Sequence, residues 1–362
     1  MVGLELGGGT KKYSPYVIAA DPLSGGWGPI VHLATLSARM LDAELLLSRE
    51  PTIRLLKQTR KLRSLLSRKR IDDGRPALII ARSIGDVALL ADIPDWRSSL
   101  GHVAVWIIDS FWHSSKMPHS VFRNFDQIYV SSRDDCAYFS ALADCPVDVL
   151  PWGTDALDTG SAACEREKDL LCLGRMPAGW GKAETAREQL SNRGFQMEMP
   201  PPPPGKTGKG NGQSVTSERH IALMQSYCRS KISVAHNNVF APSTYTHATR
   251  EYMTARWTDA LAAGCLVLGM PPWKDPEFAE LYPEEGLIET PAATLEELAP
   301  VLRSELDALD PSLHMRLHRI ALERFDWRHR LLKVADDMKI EAAPLKADLE
   351  RLRCRVKELA SA

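Results

Sequence analysis

Residues 251–269 read EYMTARWTDALAAGCLVLG, and the reading of this stretch decides the fold. Thr254 stands where a helix takes its N-cap, and Ala255 to Ala263 are mostly good helix formers. Gly264 stands where a helix most often needs a left-handed residue at its end. Cys265 to Leu268 is short, apolar and uncharged, as expected of a strand covered on both faces. Loop, helix, tight turn and buried strand follow one another, the unit from which α/β domains are built. Such a helix points its free N–H groups and positive dipole end over the loop before it, an arrangement that binds anions and above all phosphate. Arg256 lies in the first helical turn, where the dipole favours an acid, so a cation there points to an anionic ligand. Glu251 and Asp259 flank the same helix start. One acid can face an incoming ligand and the other can reach a sugar diol further in.

This pattern resembles the nucleotide-sugar site of GT-B glycosyltransferases. The likeness is closest to the group 1 enzymes, which carry two acids with seven residues between them, then a short helix and an EALAxGxPVV run. The matching residues are Glu251, Asp259 and the run from Asp259 to Gly264. The second acid is Asp rather than Glu, and Tyr252-Met253-Thr254 replaces the usual Gly-Phe-Gly. Tyr252 to Arg256 is also similar to the YxTEK donor loop of α1,3-fucosyltransferases, where the basic residue holds the diphosphate; Arg256 takes that part. Group 1 enzymes usually retain the anomeric configuration and the fucosyltransferases invert it, so the stereochemistry stays open.

The resemblance implies an α/β protein of two Rossmann-like domains facing a cleft. An N-terminal acceptor domain is expected over 1–157 and a nucleotide-sugar donor domain over 168–330. A C-terminal helix over 331–362 is expected to pack back on the first domain. The implied activity moves a sugar from a nucleoside-diphosphate-sugar to an acceptor hydroxyl. A non-catalytic protein of the same fold that binds nucleotide-sugar or glycan is the alternative. A dinucleotide-dependent oxidoreductase is disfavoured, because Gly25-Gly-Trp-Gly28 lacks the GxGxxG spacing.

The 362 residues suffice for two domains with full cores. A net charge of −1 gives no global field for nucleic acid. Seven cysteines, an odd number without a CxxC pair, suit a reducing compartment. The start of the chain lacks a signal-peptide core and no apolar run is long enough to span a bilayer. A cytoplasmic protein is expected. Thr52 to Arg70 carries eight basic residues and no acidic one. It fits peripheral contact with anionic lipid or an acidic acceptor, or else a solvated helix face.

In chain order, Tyr16 to Ala20 reads as the first strand. It opens into a glycine-rich turn whose Gly25 and Gly26 let backbone approach a ligand at a helix start. Further strands are expected at Ala43 to Leu47, Ala77 to Ala81, His102 to Ile108, Ile128 to Ser131, Val147 to Leu150, Leu170 to Gly174 and Lys231 to Ala235. Asp109 and His113 stand just past a central strand, where an open sheet forms its crevice, and are candidates for a general base or acceptor contacts. Glu251 is the third catalytic candidate. Pro151 to Asp155 and Phe325-Asp-Trp327 resemble two further elements of the family, a PnGvD turn and a late FsW stretch.

Leu173-Gly-Arg175, with Lys182 seven residues on, resembles the element whose Arg and Lys hold the donor diphosphate. A planar guanidinium and an ammonium both suit phosphate. Asn237 sits at another strand end and can bond the donor or build a turn. The donor set is thus Gly25, Gly26, Arg175, Lys182, Asn237, Thr254, Arg256 and Asp259. His314 and His318 are four apart on a helix, but no third metal ligand is evident, so both are read as surface residues. No Asp-x-Asp triplet occurs, so no metal and no cofactor is expected and protein cations must carry the leaving diphosphate.

Overall fold

A computed structural model of the chain describes residues 14–21, 27–49, 74–92, 96–113, 119–200 and 216–361. The Gly25–Gly26 turn and the basic stretch Thr52 to Arg70 lie outside the described residues. Two parallel sheets are present. The first contains β1 (Tyr16–Asp21), β2 (Glu44–Arg49), β3 (Ala77–Ala81), β4 (Val103–Ile107), β5 (Gln127–Val130) and β6 (Val147–Val149), in the order β2-β1-β3-β4-β5-β6. The second contains β7 (Lys168–Cys172), β8 (Met197–Glu198), β9 (Ser230–Val234), β10 (Leu266–Gly269) and β11 (Leu287–Glu289), in the order β11-β10-β9-β7-β8.

The two sheets repeat one winding. In each, the chain starts in the middle, steps once to one side, then crosses back and continues the other way. Each therefore has a point where the winding reverses, between β1 and β3 and between β7 and β9. Ligands of open α/β sheets sit outside the carboxyl ends of the strands at such points. Strands β3 and β4 are buried at every position, which explains their unbroken apolar character. The short strands β8 and β11 escape pattern reading, since two or three residues carry no period.

The longer helices are α1 (Gly28–Met40), α2 (Ala183–Asn192), α3 (Ser217–Cys228), α4 (Ala255–Ala262), α5 (Pro276–Leu281), α6 (Leu295–Ala308), α7 (Ser312–Arg324), α8 (Trp327–Asp337) and α9 (Ala343–Ser361). Helix α4 starts and stops as its sequence dictates. Thr254 has the extended backbone of an N-cap, although its side chain makes no cap bond. Gly264 has φ +75°, and a Cβ there would stand 2.5 Å from the carbonyl oxygen of His314. Only glycine fits that turn. His314 and His318 are buried rather than on the surface. Each bonds through Nδ1 to a carbonyl at the end of α4, that of Gly264 (2.7 Å) or Ala262 (2.6 Å). Burial pushes both rings down to about 4, so they stay neutral and brace α4.

The connection between the sheets runs along the turn into α8. Thr154 and Asp326 form a parallel bridge, with Thr154 N–H to Phe325 O and Trp327 N–H to Thr154 O both 2.9 Å. The two family-like stretches thus pair with each other. Arg328, fully buried, ties the connection down. Its guanidinium meets Asp155 (2.8 Å), Asp158 (2.7 Å), Asp326 (3.1 Å) and Asp348 (2.9 Å). Asp337 on α8 accepts from Tyr129 of β5 (2.7 Å), and Lys333 pairs with Asp148 (3.0 Å), so the last helices lie against the first sheet. Among the described residues no helix is long and apolar enough to cross a membrane.

Arg328→Ala leaves four carboxylates crowded around a void. Unpairing a buried charge network of this kind costs about 3–5 kcal/mol. Thermal unfolding is expected to show a clearly lower midpoint; an unchanged midpoint would contradict the role given to Arg328.

Candidate active site

The second sheet's reversal point gathers cations. Beyond β7 the chain turns at Gly174, φ +80°, and a Cβ there would stand 3.2 Å from Cδ of Arg256. The missing side chain leaves room for the guanidinium of α4 to lie on the β7 turn. Arg256 donates to the carbonyls of His236 (2.9 Å) and Arg175 (3.4 Å). Arg175 donates through Nε to Ala241 O (3.1 Å), lies 5.9 Å over the Tyr245 ring, and keeps a buried Nη2 with no partner. Neither guanidinium pairs with a carboxylate among the described residues. Burial, then the adjacent Arg175, pushes Arg256 down to about 10.

Two further groups here lack partners. His236, at the end of β9, accepts at Nδ1 from the Met270 N–H (3.1 Å), which assigns the proton of the neutral ring to Nε2. That Nε2 is buried and unpaired. Burial first, then Arg256 and Arg175, pushes the ring down to about 3. The Thr254 hydroxyl is likewise buried without a partner at the start of α4. Buried donors are normally satisfied, so several orphans beside two unpaired guanidiniums mark a place built for an acceptor-rich anion.

Asp109 enters from the other sheet, beyond β4. Its carboxylate makes no hydrogen bond or ion pair among the described residues, and it is pushed up to about 7. Burial is the main cause and Asp86 adds to it, while Arg82 and Arg175 pull the other way. Asp86 is itself gripped by Arg82 at 2.7 and 2.8 Å. Phe111 stacks on Tyr252 with ring centroids 4.1 Å apart, which seats the β4 loop on the loop before α4. Burial and then Asp109 push the Tyr252 phenol up to about 12.

Two charged clasps hold the sheets' loops together. Asp135, with no exposed surface, accepts from Ser110 (2.6 Å), from His113 (2.8 Å) and from Arg250 of the opposite side. Arg133 binds Glu277 (2.8 Å) and also Glu280 on α5.

Of the residues expected from sequence, Asp109, Arg175, Thr254 and Arg256 come together. His113 is absorbed into the Asp135 clasp, with its ring stacked on Tyr138 at 3.9 Å. Glu251 is turned to Lys274, accepting from its N–H (3.2 Å) and lying 3.7 Å from its Nζ. Lys182 stands exposed at the N-cap of α2. Asn237 builds the turn after β9: its Oδ1 accepts from Val239 and Phe240, and its Nδ2 donates to Pro271 O (3.0 Å). That bonding leaves it occupied as an internal brace instead of a donor contact. Asp259 is 2 % exposed and accepts from Thr154 (2.8 Å), so its carboxylate faces the connection between the domains and not an open diol site. Sequence reading passed over His236 and the clasp residues Arg133, Asp135 and Arg250, and gave Tyr252 no role beyond its place in the donor-loop likeness. His236 carried a usable signal, as the second residue after an apolar strand. The clasps carried none, because each joins residues more than a hundred positions apart.

No family model matches the sequence, and no curated protein matches it. Solved structures do. The chain has the GT-B fold, two Rossmann-like α/β units facing a cleft. It is similar to sucrose-phosphate synthase from Thermosynechococcus elongatus, with 12 % identity and a TM-score of 0.53 over 89 % of this chain and 98 % of that one. It is also similar to Anabaena HepE in complex with UDP and glucose, with 12 % identity and a TM-score of 0.50 over 90 % and 99 % of the two chains.

Asp259 offers a pH test. Burial raises it to about 8, so the folded state holds its proton more tightly than the unfolded chain does. Its protonated form favours folding, and that contribution is lost as pH rises from about 4 to about 8. Asp259→Asn keeps an acceptor for Thr154 and removes the charge. It is expected to raise the thermal midpoint near pH 8.5 and change it little near about pH 4.5. A drop at the higher pH would show that the charge is compensated by an unrecognised partner.

Proposed function

We propose that the protein is a glycosyltransferase that moves a sugar from a nucleoside-diphosphate-sugar to an acceptor hydroxyl. The carrying observation is the pair Arg175 and Arg256, side by side, held by backbone carbonyls and matched by no carboxylate among the described residues. Two such forks fit the oxygens of a diphosphate, and unpaired they repel each other until an anion arrives. The Thr254 hydroxyl, buried without a partner, and the N–H groups opening α4 belong to the same helix start as Arg256. Lys182, exposed at the start of α2 after the same β7 turn, is not brought to the pair by any contact among the described residues and would have to swing in to add a third cation. As the sugar leaves, charge builds on the diphosphate, and the arginine pair stabilises it without rearranging. The proposed reaction therefore draws its leaving-group stabilisation from the protein and not from a metal ion.

The GT-B fold supports this reading, and the UDP and glucose held by HepE favour a uridine nucleotide. In this reading the first domain supplies the acceptor side through the β4 loop, where Asp109 feels the charge of Arg175. Membrane contact through Thr52 to Arg70 is proposed on charge alone, since that stretch lies outside the described residues.

The test is a thermal-shift panel of UDP, GDP, ADP, CMP, dTDP and NADH. A nucleotide at about 100 times its Kd stabilises by about 2.7 kcal/mol. One nucleoside diphosphate is expected to stand out, and Arg256→Ala to abolish its shift and cut turnover by at least about 10²-fold. A response to NADH alone, or near-normal activity in Arg256→Ala, would overturn the assignment.

A further inference from the structure

A second constellation stands where α1 meets α3, on the interdomain connection. Ser217 opens α3, and its Oγ lies 2.5 Å from Nδ1 of His32 on α1. Nε2 of the same ring lies 2.9 Å from the Asp155 carboxylate. The partners fix the protons. Burial works against the charge on Asp155, but the His32 and Arg328 contacts hold its carboxyl well below the usual range, so it is ionised. An ionised carboxylate only accepts, so Nε2 of the neutral ring carries the proton and donates it to Asp155. Nδ1 is then the acceptor, and the Ser217 hydroxyl donates to it. Serine, imidazole and carboxylate thus stand as nucleophile, base and orienter, a set recognised by roles and not by chain position. The two ring nitrogens exchange the parts they have in serine proteases, with the same direction of proton flow.

The same corner holds polar atoms that the fold does not use. His220 follows Ser217 by three residues, so the two share a face of α3, and its ring lies 5.1 Å from that of His32. It is 1 % exposed, and neither of its nitrogens has a partner among the described residues. Burial first, then His32, pushes it down to about 3, so the ring is neutral and keeps one N–H. Trp327 is fully buried, its ring 6.1 Å from that of His32, and its Nε1–H is also unpartnered. Buried donors are normally satisfied, so this group marks a place for a ligand's oxygen. Ser217 alone keeps some exposed surface, while His32, Asp155 and His220 are buried. The hydroxyl is the outermost member of the chain, where a nucleophile must be. A brace between two helices would be served by any acceptor. Here the acceptor is a base whose tautomer an ionised group has fixed.

We propose that Ser217 is the nucleophile of a second site, one that cleaves small carboxylic esters. This goes beyond the transfer reaction and does not depend on it. Ser217 Oγ attacks the ester carbonyl carbon while its proton passes to Nδ1 of His32. Asp155 steadies the imidazolium through Nε2–H. The carbonyl oxygen becomes negative at the start of α3, where the helix dipole favours an anion, beside the unpartnered His220. The bond to the alcohol oxygen then breaks, and the alcohol leaves with the proton from Nδ1. Water gives a proton to Nδ1 as it attacks the acyl-serine. The carboxylic acid departs, and Ser217 Oγ takes its proton back from His32. The substrate is small because Ser217 is only partly exposed.

The experiment treats the full chain with diisopropyl fluorophosphate, whose phosphorus is attacked by an activated serine with loss of fluoride. Peptide mass then locates the adduct. One equivalent is expected on Ser217, with none on that peptide in Ser217→Ala. His32→Gln is expected to slow the labelling by at least about 10²-fold, the loss of a general base. p-Nitrophenyl acetate is read in parallel, and its hydrolysis should fall with the labelling in both variants. Thermal midpoints show that each variant is folded. The wild type unfolded in urea gives a control that needs no variant: it should not label, since the activation needs His32 in place. No adduct on Ser217 in the folded wild type would overturn the inference. So would equal labelling of the folded and unfolded chain, or unchanged labelling in a folded His32→Gln. No nucleotide enters any of these readings, so their outcome is separate from that of the glycosyltransferase assignment.

Discussion

The relative placement of the two sheets depends on one buried guanidinium. Arg328 has no exposed surface and reaches four carboxylates, from the interdomain connection, from its own turn and from α9. A charge in such a position is tolerated only when its partners are numerous and well placed. His32 of α1 joins the same network through Asp155 (2.9 Å) and Ser217 (2.5 Å), which brings the helix after β1 and the start of α3 into it. Despite burial, which acts the other way, the His32 and Arg328 contacts hold Asp155 well below the ordinary carboxylate range. Each partner comes from a different segment, so their geometry can be satisfied only when the domains, the connection and the C-terminal helices are all in place.

Against this background the cleft stands out by what it leaves unpaired. Arg328, Arg133, Arg250, Arg229 and Lys231 all meet carboxylates. Among the described residues Arg175 and Arg256 donate only to carbonyl oxygens, and His236 Nε2 and the Thr254 hydroxyl have no hydrogen-bond partner. The same chain that compensates one buried arginine four times leaves two part-buried ones together without a counter-charge among the described residues. Leaving them so costs stability, and a site that must bind and release a polyanion is the kind of place where such a cost is kept.

Much of this was legible in the sequence. Most of the strands, with the short β8 and β11 excepted, show themselves as largely apolar runs, because parallel strands covered on both faces need no alternation. The 251–269 stretch carries its cap, its left-handed glycine and its buried strand in local chemistry, so each could be read without the rest of the chain. Arg256 follows from its position at a helix start, and Arg175 from the resemblance of Leu173-Gly-Arg175 to a family element. What could not be read was the direction of side chains. Asp259 lies on the expected helix, yet it faces Thr154 at the domain connection. His314 and His318 look like surface residues by spacing and are buried supports for the end of α4. The clasps at Asp135 and Glu277, and the pairing of Thr154 with Asp326, arise only when distant segments meet.

The most direct measurement is a crystal structure of the protein with UDP. The diphosphate oxygens are expected within hydrogen-bonding distance of Arg175 Nη2 and the Arg256 guanidinium, with Thr254 and the start of α4 beside them. A nucleotide bound elsewhere, with both guanidiniums still resting on their carbonyls alone, would contradict the anion site on which the proposed transfer depends.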